Sequence, residues 1–171
     1  MDKRVINCFT FFNELELLEL RLHELNPVID RFVLVEATKT FKGAPKELLY
    51  EKHKQRYATF HDKIIHVIVD DMPDAEDPRL REHHQRRCIA RGLRDLRPDD
   101  IIIVSDVDEI LRPSSIMEMR NKDGYFMVDM PMFQFFMNTR AIERGWDKVF
   151  AFSYSMVSEI PDFSRRPGTS K

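Results

Sequence analysis

The stretch IIIVSDVDEIL, residues 101–111, carries the densest chemistry in the chain. Ile101, Ile102, Ile103 and Val104 run straight into Asp106, Asp108 and Glu109, three carboxylates within four residues. Like charges at that density repel, and carboxylates beside a core lose hydration, so a positive group is needed there to offset the cost. Asp106 and Asp108 are two residues apart. On an extended backbone both leave on one face, while Val107 points into the core. Two hard oxygen ligands on one face suit Mg2+ or Mn2+, and such ions are commonly shared between one or two carboxylates and a substrate's phosphates. A divalent cation carrying a phosphorylated ligand is therefore the expected counter-charge. The plain alternative is a solvated acidic turn.

The elements that must position these acids follow from the apolar pattern. Residues 5–12, 31–37, 63–69 and 100–106 read as buried strands, short and rich in β-branched and aromatic residues. Asn13 is the expected N-cap of an amphipathic helix carrying Leu15, Leu18, Leu22 and Leu25, which Asn26-Pro27 stops. Residues 46–60 and 79–96 read as further helices, the second starting at Asp77 or Pro78, and 114–121 as a short one. Residues 125–136 and 149–157 read as two more strands, and the polar tail 164–171 is expected to fray. Strand and helix alternate through residue 111, which predicts an α/β fold with a mainly parallel sheet covered by helices. In such sheets ligands bind beyond the carboxyl ends of the strands. Each of the first four strands ends in at least one acid: Glu14, Glu36, Asp70 with Asp71, and Asp106 with Asp108. An acid at a loop start also caps the next helix, and that alternative stands beside the functional one at every position.

Bulk properties narrow the classes. The 171 residues suit one domain with one core, 43% apolar and 33% charged is ordinary for a soluble globular protein, and a net charge of −2 gives no global attraction to nucleic acid or anionic membrane. Cys8 and Cys88 lie far apart, so neither zinc spacing nor a disulfide framework is suggested. No apolar run reaches the roughly 20 residues of a transmembrane segment, and the N-terminus lacks a signal-like stretch, so a cytoplasmic location is the expectation. With five glycines and neither GxGxxG nor GxxxxGK[ST], the two best-known phosphate-cradling loops are excluded. His83 and His84 are adjacent and point about 100° apart on a helix, so they cannot easily share one ion. His84 shares a stripe with Leu80 and Cys88 and is expected to be half-buried and hydrogen-bonded. Phe9, Phe11 and Phe12 read as core in preference to base-stacking platforms.

Taken in series, VINCFTFFNELELLELRLHEL, VLVEATKTFKGAPK, DKIIHVIVDDMP, REHHQRR and DDIIIVSDVDEILRP resemble, in order and spacing, glycosyltransferase family 17, closely over residues 5–113 and loosely beyond. The resemblance implies a GT-A-like nucleotide-sugar fold over residues 1–171. Residues 1–113 would form the nucleotide-sugar half and 114–163 the acceptor side. It also implies a UDP-sugar donor, N-acetylglucosamine being the family's usual sugar, an inverting transfer to a glycan or small hydroxyl acceptor, and a divalent metal. SDVDE then looks like the family's DxD element, with Asp108 on the metal and Asp106 on the metal or the ribose. A departing sugar nucleotide gathers negative charge on its diphosphate, which a cation stabilises and an arginine can share. Arg86 is the candidate, because Glu82, Gln85 and Arg86 continue the helical face of Ile89 and Leu93; a plain Glu82–Arg86 ion pair is the alternative. Glu36 and Asp70 are candidates for base or ribose contacts. The acceptor's proton needs a base, for which Asp129, Glu143, Asp147 and Glu159 are available; Asp147 is the candidate beside Trp146, whose indole can pack on a sugar.

Two other classes remain open. A haloacid-dehalogenase-like phosphatase also carries DxD after a buried strand, but Ile110 stands where Ser or Thr usually follows. A non-catalytic nucleotide-sugar-binding remnant would bind donor without transfer.

Overall fold

The computed structural model describes residues 2–133, 140–160 and 163, with the side chains of 132 and 141–147 outside that description. In chain order it contains β1 (Val5–Phe11), α1 (Leu15–Leu25), β2 (Arg31–Ala37), α2 (Leu49–Lys52), β3 (Ile64–Val69), α3 (Pro78–Arg87), β4 (Ile101–Asp106), α4 (Pro113–Arg120), β5 (Tyr125–Phe133) and β6 (Arg140–Ser153). The six strands form one sheet in the order β3-β2-β1-β4-β6-β5. The first four are mutually parallel; β6 runs antiparallel to β4, and β5 antiparallel to β6. This is the expected α/β architecture.

The continuous apolar runs of β1, β2 and β4 have a direct cause: these strands are buried on both faces. Val5, Phe9, Phe32, Leu34, Ile101 and Ile103 pack on one face against Leu18, Leu22 and Leu25 of α1 and Ile116 of α4. Ile6, Cys8, Val33, Val35, Ile102 and Val104 pack on the other against Cys88, Ile89 and Leu93, which follow α3. There the layers come close, and a Cβ on Gly92 would meet Val33 Cγ1 at 2.4 Å. The long helix expected over 79–96 accordingly ends as α at Arg87 and continues as 3-10 turns over Cys88–Gly92. Its start is as expected, with Asp77 accepting from Arg79 N at 2.9 Å and Pro78 in the first turn.

Other local expectations are corrected. Asn13 does not cap α1. Glu14 stands at the N-cap, and its carboxylate accepts from the Phe12 and Asn13 amides at 3.1 and 3.0 Å, tying down the chain as it leaves β1. The helix expected over 46–60 is only one α-turn, α2, followed by 3-10 turns over Lys54–Lys63. Buried Tyr57 and Phe60, three residues apart, suit the three-per-turn period. Strand β6 starts earlier than its apolar run predicts, because pairing with β5 extends it through polar residues, and Tyr154–Glu159 forms 3-10 turns.

At the amino end of the sheet, Asp100 is fully buried and accepts from Arg4 N at 3.0 Å, Arg4 Nε at 3.0 Å and Arg97 N at 2.8 Å. Burial alone would push this carboxyl up. The hydrogen bonds from Arg4 and Arg97 outweigh it and hold the group below the usual carboxylate range. A folded-state pKa below the unfolded one contributes stability that is fully present above about pH 4 and is lost as pH falls through the folded value. Urea midpoints measured from neutral to acid pH are therefore expected to fall more steeply for the native chain than for Asp100→Asn. Equal slopes would refute this role.

Candidate active site

Because β1 leads through α1 to β2 on one side and β4 lies on its other side, the strand order reverses at the β1–β4 pair, and a crevice opens beyond their carboxyl ends. Thr10 of β1 pairs with Asp106 of β4 at that edge. Two clefts meet there. The first, about 780 Å³, is lined by the end of β1, the loop after β2, Glu82, Gln85 and Arg86 of α3, and Asp106–Asp108. The second, about 890 Å³, is lined by Asp106, Asp108 and Glu109, the segment entering α4, and Asp129 and its neighbours on β5. Asp106 and Asp108 are the residues shared by both.

The backbone does not stay extended through these acids. Strand β4 ends at Asp106, and the chain turns, with Glu109 N donating to Asp106 O at 3.1 Å. The cause is Arg21, a fully buried side chain of α1. Its Nη1 donates to the carbonyls of Asp106, Val107 and Glu109 at 2.8, 3.0 and 3.1 Å, its Nη2 to Ser105 Oγ at 2.5 Å, and its Nε to Asn7 Oδ1 at 2.9 Å. The guanidinium also lies 4.5 Å from the Phe9 ring centroid. Burial pulls its pKa down to about 10, opposed by the charges of Glu109, Asp108 and Asp106, so it stays cationic at neutral pH. Glu109 folds back, its Oε2 accepting from Asp106 N at 2.5 Å. The positive group demanded by the acidic run is thus, in the first instance, an arginine from beneath.

Above the loop, Val107 is buried as expected and Asp108 is exposed. The Asp108 carboxylate hydrogen-bonds none of the described residues. Asp106 Oδ1 accepts from Arg86 Nη2 at 2.5 Å, while Arg86 Nε lies 3.5 Å from Glu82 Oε1, so the Glu82–Arg86 ion pair is present and the same guanidinium also reaches the acidic turn. Two hard carboxylates at the junction of the clefts, one without a hydrogen-bonded partner among the described residues and one paired with Arg86, fit a hard divalent ion.

The sequence profile of glycosyltransferase family 17 matches residues 1–138. The chain belongs to glycosyltransferase family 17. It is 30% identical over 133 residues to the beta-1,4-mannosyl-glycoprotein 4-beta-N-acetylglucosaminyltransferases of Rattus norvegicus, Homo sapiens and Mus musculus, an overlap of 73% of this chain and 25% of each relative. The matched segment therefore spans about a quarter of the curated relatives' length.

In this family 17 chain the remaining candidates fall as follows. The donor role open to Glu36 does not follow from its place. Its carboxylate is fully buried and accepts from Leu49 N at 2.5 Å, Lys46 Nζ at 3.1 Å and Tyr50 N, so it takes the capping alternative and anchors the start of α2. Asp70 is exposed and lines neither cleft. Beside it Asp71 pairs with Arg91 at 2.6 Å, and that hydrogen bond holds its carboxyl far below the usual range. Asp71, His84 and Cys88 bring possible ligand atoms within 4.8 Å of one another, but Arg91 occupies both Asp71 oxygens. His84 is half-buried and hydrogen-bonded to Asp71, as expected. The side chains of Glu143, Trp146 and Asp147 lie outside the described residues. Glu159 follows β6, whose Ser153 pairs with Ile101 at the start of β4, and so belongs to the opposite end of the sheet. Asp129 alone of the four base candidates is found among the described lining residues of the second cleft.

Arg21 is a site residue that no motif in the sequence marks. The signal was present: Leu18, Arg21, Leu22 and Leu25 follow the i, i+3, i+4, i+7 pattern, so a charge sits within the apolar stripe. Among the described residues no helix is long and apolar enough to cross a membrane.

Proposed function

We propose that the chain is a metal-dependent inverting glycosyltransferase of GT-A-like fold. It would bind UDP-N-acetylglucosamine in the first cleft and transfer the sugar to a hydroxyl of a glycan or small acceptor in the second. The observation that carries this reading is the meeting of two clefts at Asp106 and Asp108, on the edge where the strand order reverses. A transfer between two substrates needs two binding spaces that share the point of reaction, and the named activity of the relatives is an N-acetylglucosaminyl transfer.

Asp108 and Asp106 would hold Mn2+ or Mg2+, which when bound supplies Lewis-acid stabilisation of charge on the leaving diphosphate. Arg86, already on Asp106, stands in the same cleft and can turn its guanidinium to the diphosphate oxygens, where a planar fork matches phosphate geometry. Arg21 keeps the acidic turn in shape before any ligand arrives, so the site is organised in advance. Inversion requires the acceptor hydroxyl to attack from the side opposite the diphosphate, with its proton taken by a carboxylate in the second cleft. Asp129 lines that cleft, and Glu143 and Asp147, whose side chains lie outside the described residues, are the other candidates. Asp129→Asn is expected to lower kcat by roughly a hundredfold or more with unchanged affinity for UDP; full activity in that variant, with loss in Asp147→Asn, would transfer the role to Asp147.

Ile110, where a phosphatase would carry Ser or Thr, packs against the core, and family membership removes the ground for that alternative. The test is a calorimetric titration with UDP-N-acetylglucosamine in Mn2+ and again in EDTA. Metal-dependent binding is expected. No binding to any UDP-sugar by a folded chain would overturn the proposal, and binding without transfer to any acceptor would reduce it to a donor-binding role.

A further inference from the structure

The geometry points to Phe12 and Phe41 as the aromatic platform for the nucleobase of the donor, an inference that rests on reading the first cleft as a nucleotide-sugar site. Sequence alone favours the core for Phe12, and Phe9 and Phe11 are indeed buried, but Phe12 is 46% exposed and Phe41 is 37% exposed, and both line the first cleft. Single exposed apolar residues need no explanation. Two phenyl rings in one cleft with Lys39, Lys42 and Lys46 are a different matter: flat apolar surface beside cationic groups is the complement of a heterocycle joined to phosphates.

Both rings are held in place. Phe12 follows the end of β1, two residues past Thr10, which pairs with Asp106, so a ligand with its phosphates at Asp106 has its nucleoside end within reach of Phe12. The Phe12 amide is fixed by Glu14 at 3.1 Å, and Lys46 Nζ lies 5.7 Å from the ring centroid. Phe41 rides on a tight hairpin in which Gly43 N donates to Thr40 O at 2.9 Å and Thr40 N to Ala44 O at 2.8 Å. Arg81, only 7% exposed, donates to Phe41 O at 3.0 Å and to Pro73 O at 3.1 Å, clamping the hairpin to the loop before α3. Gly43 has φ +89°, and a Cβ there would lie 3.2 Å from the Arg81 guanidinium, so the residue at that position is set by both backbone and clamp. A buried arginine that fixes a loop whose tip presents an exposed phenyl ring is costly to maintain unless the ring has a task. Stacking suits that task, and it leaves the sugar end of the donor free to reach the second cleft.

The experiment compares two ligands on the native chain and on Phe12→Leu and Phe41→Leu: UDP and inorganic pyrophosphate, each with Mg2+. Each substitution is expected to raise the Kd for UDP by roughly five- to a hundredfold, the range of base–aromatic stacking, and to leave the Kd for pyrophosphate within about twofold. Should either variant fail to fold, the native chain still decides by NMR, where stacking shifts the uracil H5 and H6 resonances of bound UDP upfield. Unchanged UDP affinity in the variants, or unshifted uracil protons, overturns the platform while the donor reading survives. Absence of UDP binding by the native chain overturns both.

Discussion

Replacing Arg21 with methionine is expected to cost about 3–5 kcal/mol of folding stability, the scale of breaking a buried, fully hydrogen-bonded ionic site from one side. The side chain is fully buried and donates five hydrogen bonds, three of them to the carbonyls of the acidic turn. Methionine fills most of the volume, so a cavity is not the cause. The loss comes from leaving those acceptors without donors and Glu109, 7% exposed, without the nearby positive charge. Arg21→Lys is expected to recover little, since one ammonium cannot reproduce the planar fork that spans Asn7, Ser105 and the turn carbonyls. Urea denaturation checks both. A loss under about 1 kcal/mol in the methionine variant would mean that the turn holds itself and that Arg21 is incidental. The same substitution is expected to abolish UDP binding at temperatures where the chain is still folded, because Asp106 and Asp108 would no longer be held at the junction of the clefts.

Asp108→Ala is the opposite case: a large functional effect with a small structural one. The Asp108 carboxylate is exposed and hydrogen-bonds none of the described residues, so stability is expected to stay within about 0.5 kcal/mol of the native value. A slight gain would follow from relief of the repulsion with Asp106 and Glu109. Metal-dependent UDP-sugar binding is expected to disappear, and transfer to fall by roughly a thousandfold, which is the several kcal/mol that a cation at a leaving diphosphate supplies. Calorimetry in Mn2+ measures the first and turnover the second. Full binding in the variant would remove Asp108 from the metal and would require another carboxylate at the junction. Asp106→Ala differs in a readable way, because it also releases Arg86, so its effect on binding is expected to depend less on metal concentration.

The contrast between Arg21 and Asp108 also divides what is legible in a sequence from what is not. The local periodicities determine the four parallel strands, the α/β class, the helix begun at Asp77-Pro78 and the acids at the end of β4, because each is encoded by side chains within one or two turns of one another. The motif series determines the family for the same reason, since short stretches in a set order are a property of the chain alone. Tertiary structure decided the rest. Arg21 and Ser105 are 84 residues apart and meet only because β1 and β4 are neighbours, which brings α1 under the turn. Glu36 looks identical in sequence whether it faces a ligand or caps a helix; its burial beneath Leu49 and Tyr50 chose between them. Phe12 and Phe9 lie three residues apart in one aromatic run, yet one is 46% exposed and the other buried, because β1, covered on both faces, ends at Phe11 and Phe12 stands beyond it. The sharing of Asp106 and Asp108 by two clefts has no sequence signal at all, because a cleft is made by the ends of strands and loops that only the order of the sheet brings together.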